Sequence, residues 1–130
     1  MEATEKVQGV QFEVGVSVAA QTIEDELCSA LEGGSNYWYE IVATTPSLDR
    51  SQYLHEVPVR GGSLTFATLE HDEIGGAKTW VLDRAAIERG LVVIATKYPK
   101  HFADMLTENG DATTGDVLLQ CCLFGELVFG

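Results

Sequence analysis

Positive charge is scarce in this sequence of 130 residues. Eight Lys and Arg stand against twenty Asp and Glu, which gives a formal net charge of −12 at pH 7. Because nucleic-acid affinity depends on cations that neutralise phosphates, direct binding to nucleic acid is not expected.

Long apolar runs are also missing. The longest, residues 117–129, is broken by Gln120 and Glu126, and it is shorter than the roughly 18–20 residues that a membrane span needs. The first six residues carry acids where a secretory signal peptide has a basic and then an apolar region. We therefore expect a cytoplasmic protein that makes no membrane contact.

Cysteine is rare, and the usual motifs of metal and catalytic chemistry are absent. Cys28, Cys121 and Cys122 cannot all pair within one chain, so we expect three reduced thiols. There is no Cys-x-x-Cys or His-x-x-x-His spacing, and we predict no metal site and no cofactor. Nucleophile elbows, phosphate-binding loops and dinucleotide fingerprints are missing too. We assign no catalytic residue and expect a protein that is not an enzyme, although a hydrolase without these motifs stays open.

The 45% hydrophobic content is enough for the core of one domain over residues 1–130, with residues 1–6 as a flexible start. Residues 7–18 alternate between apolar and other side chains and predict a first strand. Thr22 predicts a helix N-cap, and Gly33 and Gly34 predict the end of that helix near Glu32. Further strands are predicted over residues 35–42, 63–69 and 78–82, with a loop over residues 44–58.

Helices dominate the second half of the predicted fold. Asp83 is a good N-cap for a helix that Pro99 ends, although Gly90 weakens it locally. A short helix is then predicted over residues 101–108, and a longer one over residues 113–129. The order predicts an α+β fold, with an antiparallel sheet of about four strands packed on one face by three to four helices. The last helix is apolar nearly all round, which favours the core and leaves a homodimer open.

One segment predicts a binding site for a small nucleotide or signal molecule. Free glycine amides next to three aromatic residues would suit a phosphate and a base, with two arginines to neutralise the phosphate. The alternative interpretation is a helix end followed by a core strand. The candidate ligand-binding residues are Gly33, Gly34, Ser35, Asn36, Tyr37, Trp38, Tyr39, Arg50 and Arg60.

The uneven distribution of charge predicts a second kind of site. All eight cations lie at Lys6 or within residues 50–100, so both ends of the chain are dominated by acids. Such a surface would attract a protein with a basic surface, although acidic solubility alone also accounts for it. The candidate partner-binding acids are Glu24, Asp25, Glu32, Glu40, Asp72, Glu73, Asp104, Glu108 and Asp111.

Three segments carry a resemblance to known proteins. They are Glu32-Gly33-Gly34-Ser35-Asn36-Tyr37-Trp38, residues 97–104 and residues 114–120. The chain from about Thr22 onward resembles small bacteriophage- and prophage-encoded proteins that carry the first of these motifs. Since no role is assigned to those proteins, the resemblance transfers no catalytic residue or substrate. It implies a phage accessory protein that binds and inhibits or modulates a host protein, such as a defence or nucleic-acid-handling factor, in the cytoplasm of the host.

Overall fold

The computed structural model describes residues 7–48, 52–69 and 78–130. Its fold is α+β, as predicted, with four α-helices and a three-stranded antiparallel sheet among the described residues. In chain order the elements are α1 (Ala20–Ser29), a wider π-helical turn (Ala30–Gly34), β1 (Tyr39–Thr45), a short 3-10 helix (Leu54–Glu56), β2 (Ser63–Thr68), β3 (Thr79–Leu82), α2 (Arg84–Lys97), α3 (Pro99–Leu106) and α4 (Ala112–Phe124).

The sheet has the order β1-β2-β3, and both pairs are antiparallel. Alternate residues of β2 are buried, since Leu64, Phe66 and Thr68 point to one side. The pairing of β1 with β2 shifts between Ile41 and Ala43, which is a bulge in β1. The buried side of the sheet joins the same hydrophobic core as the helices.

The predicted first strand is wrong. Residues 7–18 form neither helix nor strand, and the sheet has three strands among the described residues instead of about four. The alternating pattern gives this segment a preference for extended backbone, but a strand also needs a neighbour to accept and donate its hydrogen bonds. The described strands provide no such pairing.

The start of α1 also differs from the prediction. The Ile23 amide donates to the Ala19 carbonyl, so the first helical turn closes before Thr22 and no side chain caps it. Ile23 and Leu27 are buried on the inner side of the helix. The Gly33–Gly34 pair ends the helical region, as expected.

The helix pair α2 and α3 follows the sequence closely. The Asp83 carboxylate accepts a 2.8 Å hydrogen bond from the Ala86 amide, which confirms the predicted cap. Pro99 occupies the first turn of α3, where its missing amide hydrogen costs nothing.

Helix α4 is central in the fold. Residues 114–122 are all buried, which confirms its predicted place in the core. Two glycines let other helices approach it closely. A Cβ on Gly90 of α2 would lie 2.7 Å from Cys122 Cα, and one on Gly115 would lie 2.5 Å from the Glu26 carbonyl oxygen of α1. Because glycine has no side chain, α2 and α1 can approach α4 this closely.

The ends of α4 correct the prediction. The helix begins at Ala112 and not at Thr113, and Asp111 caps it, because its carboxylate accepts from the Thr114 amide at 3.0 Å. The helix stops at Phe124, where Gly125 adopts a left-handed conformation with φ of 76°. Residues 125–130, here called the C-terminal tail, then leave the helix axis.

Gly90→Ala tests the close contact between α2 and α4. Alanine is the better helix former, but its methyl group would overlap the Cys122 backbone, so we expect a loss of about 1–3 kcal/mol in the free energy of unfolding. Urea denaturation measures it. Gly9→Ala is the control, since a Cβ there meets no atom within 4 Å. A Gly90→Ala protein as stable as the original would contradict the packing described.

Candidate functional site

The predicted ligand segment is organised around one buried carboxylate, that of Asp116 on α4. Asp116 Oδ1 accepts hydrogen bonds from Ser35 Oγ at 2.7 Å and from Trp38 Nε1 at 2.8 Å. Its Oδ2 accepts from the Tyr37 hydroxyl at 2.8 Å. Gln120, one turn further along α4, donates to Oδ1 at 3.1 Å. Four donors therefore surround the carboxylate and replace the water it loses on burial.

Gln120 extends this network to the C-terminal tail. Its Oε1 accepts from the Val128 amide at 2.8 Å and from the Phe129 amide at 2.9 Å, and its Nε2 donates to the Phe129 carbonyl oxygen at 3.1 Å. The Phe129 ring stacks on Trp38, with ring centres 5.2 Å apart and planes 7° from parallel. One polar network thus fixes the tail and the aromatic segment against the same helix.

The candidate ligand residues separate into buried and exposed groups. Ser35, Trp38 and Tyr39 are buried, and Tyr39 packs edge-on against Phe66 of the sheet. Gly33 and Asn36 are exposed, and Tyr37 is half-exposed. Two of the three consecutive aromatic residues therefore pack in the core.

A depression of about 410 Å³ lies beside Tyr37. Its lining combines the start of α4 with the C-terminal tail: Gly34, Tyr37, Thr113, Asp116, Val117, Leu127, Val128, Phe129 and Gly130. None of these residues is a cation. Burial raises the pKa of the Tyr37 hydroxyl to about 12, and its hydrogen bond to Asp116 adds to this shift. Tyr37 is therefore a neutral donor at physiological pH.

Of the two candidate arginines, the described one, Arg60, already has partners. Arg60 donates to the Glu24 carboxylate through Nε at 2.9 Å and through Nη2 at 3.2 Å, and it also pairs with Glu56 at 3.4 Å. Arg50 lies outside the described residues. The structure thus does not bring Arg60 to the Tyr37 depression.

The candidate partner-binding acids have varied surroundings. Glu24 is buried against Arg60, whereas Asp25, Glu32, Glu40, Glu108 and Asp111 are exposed and Asp104 is half-buried. Asp72 and Glu73 lie outside the described residues.

Some of these acids converge on a residue that sequence reasoning missed. Glu26 of α1 is 7% exposed, and its Oε1 is buried without a hydrogen-bond partner. It lines a cleft of about 220 Å³ together with Thr22, Asp25, Ser29, Met105, Glu108 and Gly110. We call this the acidic cleft. No Lys or Arg of the described residues lines it.

The surroundings of the acidic cleft disfavour the ionised form of the Glu26 carboxyl. Burial raises the pKa of the Glu26 carboxyl above its ordinary value of 4.5, and the negative charges of Asp111 and Asp25 raise it further. Asp111 itself has a lowered pKa, because the Thr114 amide and hydroxyl donate to its carboxylate. An incoming positive charge would therefore stabilise the ionised form of Glu26.

Other kinds of site receive little support from the described residues. Within residues 7–48, 52–69 and 78–130, no three His, Cys, Asp or Glu side chains are grouped so that they could hold a metal ion. In the same part of the chain, no helix combines the length and apolar character needed to cross a membrane. Comparison with protein-family models, curated proteins and solved structures finds no match to this chain.

Asp116→Ala tests the polar network. The substitution leaves the buried donors of Ser35 and Trp38 without an acceptor and removes one of the two acceptors of Gln120 Nε2. Each buried donor left without a partner costs about 1–3 kcal/mol. We expect a loss of at least ~3 kcal/mol in the free energy of unfolding, measured by urea denaturation. Asp104→Ala, at a half-buried acid outside the network, should change stability by less than ~1 kcal/mol. Equal effects of the two substitutions would refute the special role of Asp116.

Glu26→Gln tests the electrostatics of the acidic cleft. Because the pKa of Glu26 is raised in the folded state, its ionisation costs stability as the pH rises above 4.5. The Gln variant should therefore be more stable than the original protein at pH 7, and this gain should shrink as the pH falls towards 4.5 and be lost below that value. Thermal unfolding at several pH values measures it. Glu32→Gln, at an exposed acid, is the control. The assignment would be contradicted if the gain in stability of Glu26→Gln over the original protein were smaller at pH 7 than at pH 4.

Proposed function

We propose that this chain is an accessory protein, encoded by a phage, that binds a host protein with a basic surface and inhibits or modulates it. The host partner is a defence or nucleic-acid-handling factor, and the encounter takes place in the host cytoplasm. The single observation that carries this proposal is the acidic cleft, where Glu26 lies buried between like charges.

The energetics of the cleft support a cationic partner. An ionised Glu26 has lost water and has gained the repulsion of Asp25 and Asp111. A Lys or Arg side chain of a partner would supply both a hydrogen-bond donor and a compensating charge. Binding would then recover free energy that the unbound protein lacks.

The surroundings of the cleft support a protein as the partner. The exposed acids Asp25 and Glu108 line the cleft, and the charge of the exposed Asp111 also acts on Glu26. Exposed charges of this kind mainly steer encounter and set salt dependence. The net charge of −12 extends the attraction over the rest of the surface. A nucleic acid would be repelled by the same field.

The alternative function, binding of a small nucleotide or signal molecule, depends on the Gly33–Tyr39 segment. Only the half-exposed Tyr37 of this segment could stack against the base of such a ligand, because Trp38 and Tyr39 are core residues. A phosphate placed there would lie near the Asp116 carboxylate, with no cation among the lining residues. These contacts favour the acidic-surface proposal.

Capture of a partner tests the proposal directly. The immobilised full chain is incubated with host lysate at low and high salt, and retained proteins are identified by mass spectrometry. We expect a basic protein that is retained at low salt and released at high salt. Removal of two negative charges from the cleft, by Asp25→Asn together with Glu108→Gln, should reduce the capture of this protein several-fold.

The control carries the same change of charge away from the cleft, namely Glu88→Gln with Glu126→Gln at two exposed acids. It should retain nearly all of the captured protein. Three outcomes would refute the proposal: no retained protein, capture that salt does not weaken, or equal loss in both double variants. Retention of nucleotides in the same experiment would instead favour the alternative function.

A further inference from the structure

Residues 7–18, here called the arm, expose an unusual amount of apolar surface. Along an extended chain the even-numbered positions share one side, and those from position 10 to position 18 are all apolar. The exposed fractions fall from 88% at Val10 through 77% at Phe12 to 57% at Val16. A contiguous stripe of this kind marks a surface that another molecule covers.

The stripe continues onto the body of the protein. Val16 and Val18 line an apolar depression of about 210 Å³ together with Leu91, Val92, Ala95 and Phe102 of α2 and α3. Val92 is 64% exposed on that face. The base of the arm is thus anchored to an apolar patch that the arm alone leaves partly uncovered.

Charge identifies the partner that fits. Glu13 is the only charged residue within residues 7–23. Two copies of a chain with a net charge of −12 repel each other over most of their surface, but the arm allows contact at little electrostatic cost. The single negative charge of the arm would attract a basic partner only weakly.

The spacing of the arm is also complementary to itself. In an antiparallel pair centred on Val14, Val10 faces Val18 and Phe12 faces Val16, so all five apolar residues of the stripe meet apolar residues. Glu13 then faces Gly15 of the other copy and avoids its own counterpart. Such self-matching is what a twofold interface between identical chains requires.

We propose that the arm pairs antiparallel with the arm of a second copy, centred on Val14, and that the apolar side of this two-stranded ribbon covers the α2 and α3 patches of both copies. The pairing supplies the neighbouring strand that residues 7–18 lack among the described residues of their own chain. It is independent of the acidic cleft, which lies between α1 and α3 and keeps its own partner.

Sedimentation equilibrium of the full chain over a wide concentration range tests the pairing. We expect the mass to rise with concentration from 14.1 kDa to twice that value. Val14→Glu places two charges opposite each other on the twofold axis and should give a monomer throughout. Gln11→Glu adds the same charge on the other side of the ribbon, opposite Ser17, and should leave the dimer intact.

Val14→Cys tests the register. Two cysteines facing each other across the axis should form an intermolecular disulfide under mild oxidation, whereas Gln11→Cys should form far less. Thermal unfolding checks that each variant is folded, since the arm lies outside the core. A monomeric original protein, or a dimer that survives Val14→Glu, would overturn the proposal. A dimer that Val14→Glu abolishes but Val14→Cys does not cross-link would overturn it as well, because the arm would then pair elsewhere.

Discussion

The burial of one carboxylate, that of Asp116, constrains much of this fold. A carboxyl group inside a core is tolerated only when hydrogen-bond donors replace its water, and here the turn before β1 supplies three of them. That requirement fixes the turn against α4. It also positions Gln120, whose amide then holds the C-terminal tail. The stacking of Phe129 on Trp38 follows from the placement of both segments.

Glu26 is a contrasting case on the neighbouring helix. Asp116 has a donor for each of its oxygens, whereas Glu26 Oε1 has none, and nearby acids increase the cost of its charge. The difference between the two acids is one of surroundings, since both are mostly buried. The fold thus provides donors for both oxygens of Asp116 but leaves Oε1 of Glu26 without one, which places an unfavourable charge in the acidic cleft.

Local patterns in the sequence predicted the elements whose stability is local. Asp83 capped α2 as expected, and the alternation in β2 matched its buried side. The strand over residues 7–18 was wrong because strand formation depends on a partner that no local pattern reveals. The Glu26 cleft was missed because it brings together residues from α1 and from the α3–α4 connection, far apart in sequence. The Asp116 network did leave a signal, since Asp116 and Gln120 lie four residues apart on an otherwise apolar helix.

Three segments singled out in the sequence, residues 32–38, 97–104 and 114–120, meet around the C-terminal tail. The first supplies Ser35, Tyr37 and Trp38, and the third supplies Asp116 and Gln120. From the second, Lys97 donates to the Gly125 carbonyl oxygen at 3.3 Å, and the Tyr98 hydroxyl accepts from the Leu127 amide at 3.0 Å. These motifs therefore hold the scaffold together, which accounts for their aromatic and amide side chains without a ligand. Surfaces that bind partners are then to be sought where that scaffold leaves charge or apolar area unmatched, which is at the acidic cleft and along the arm.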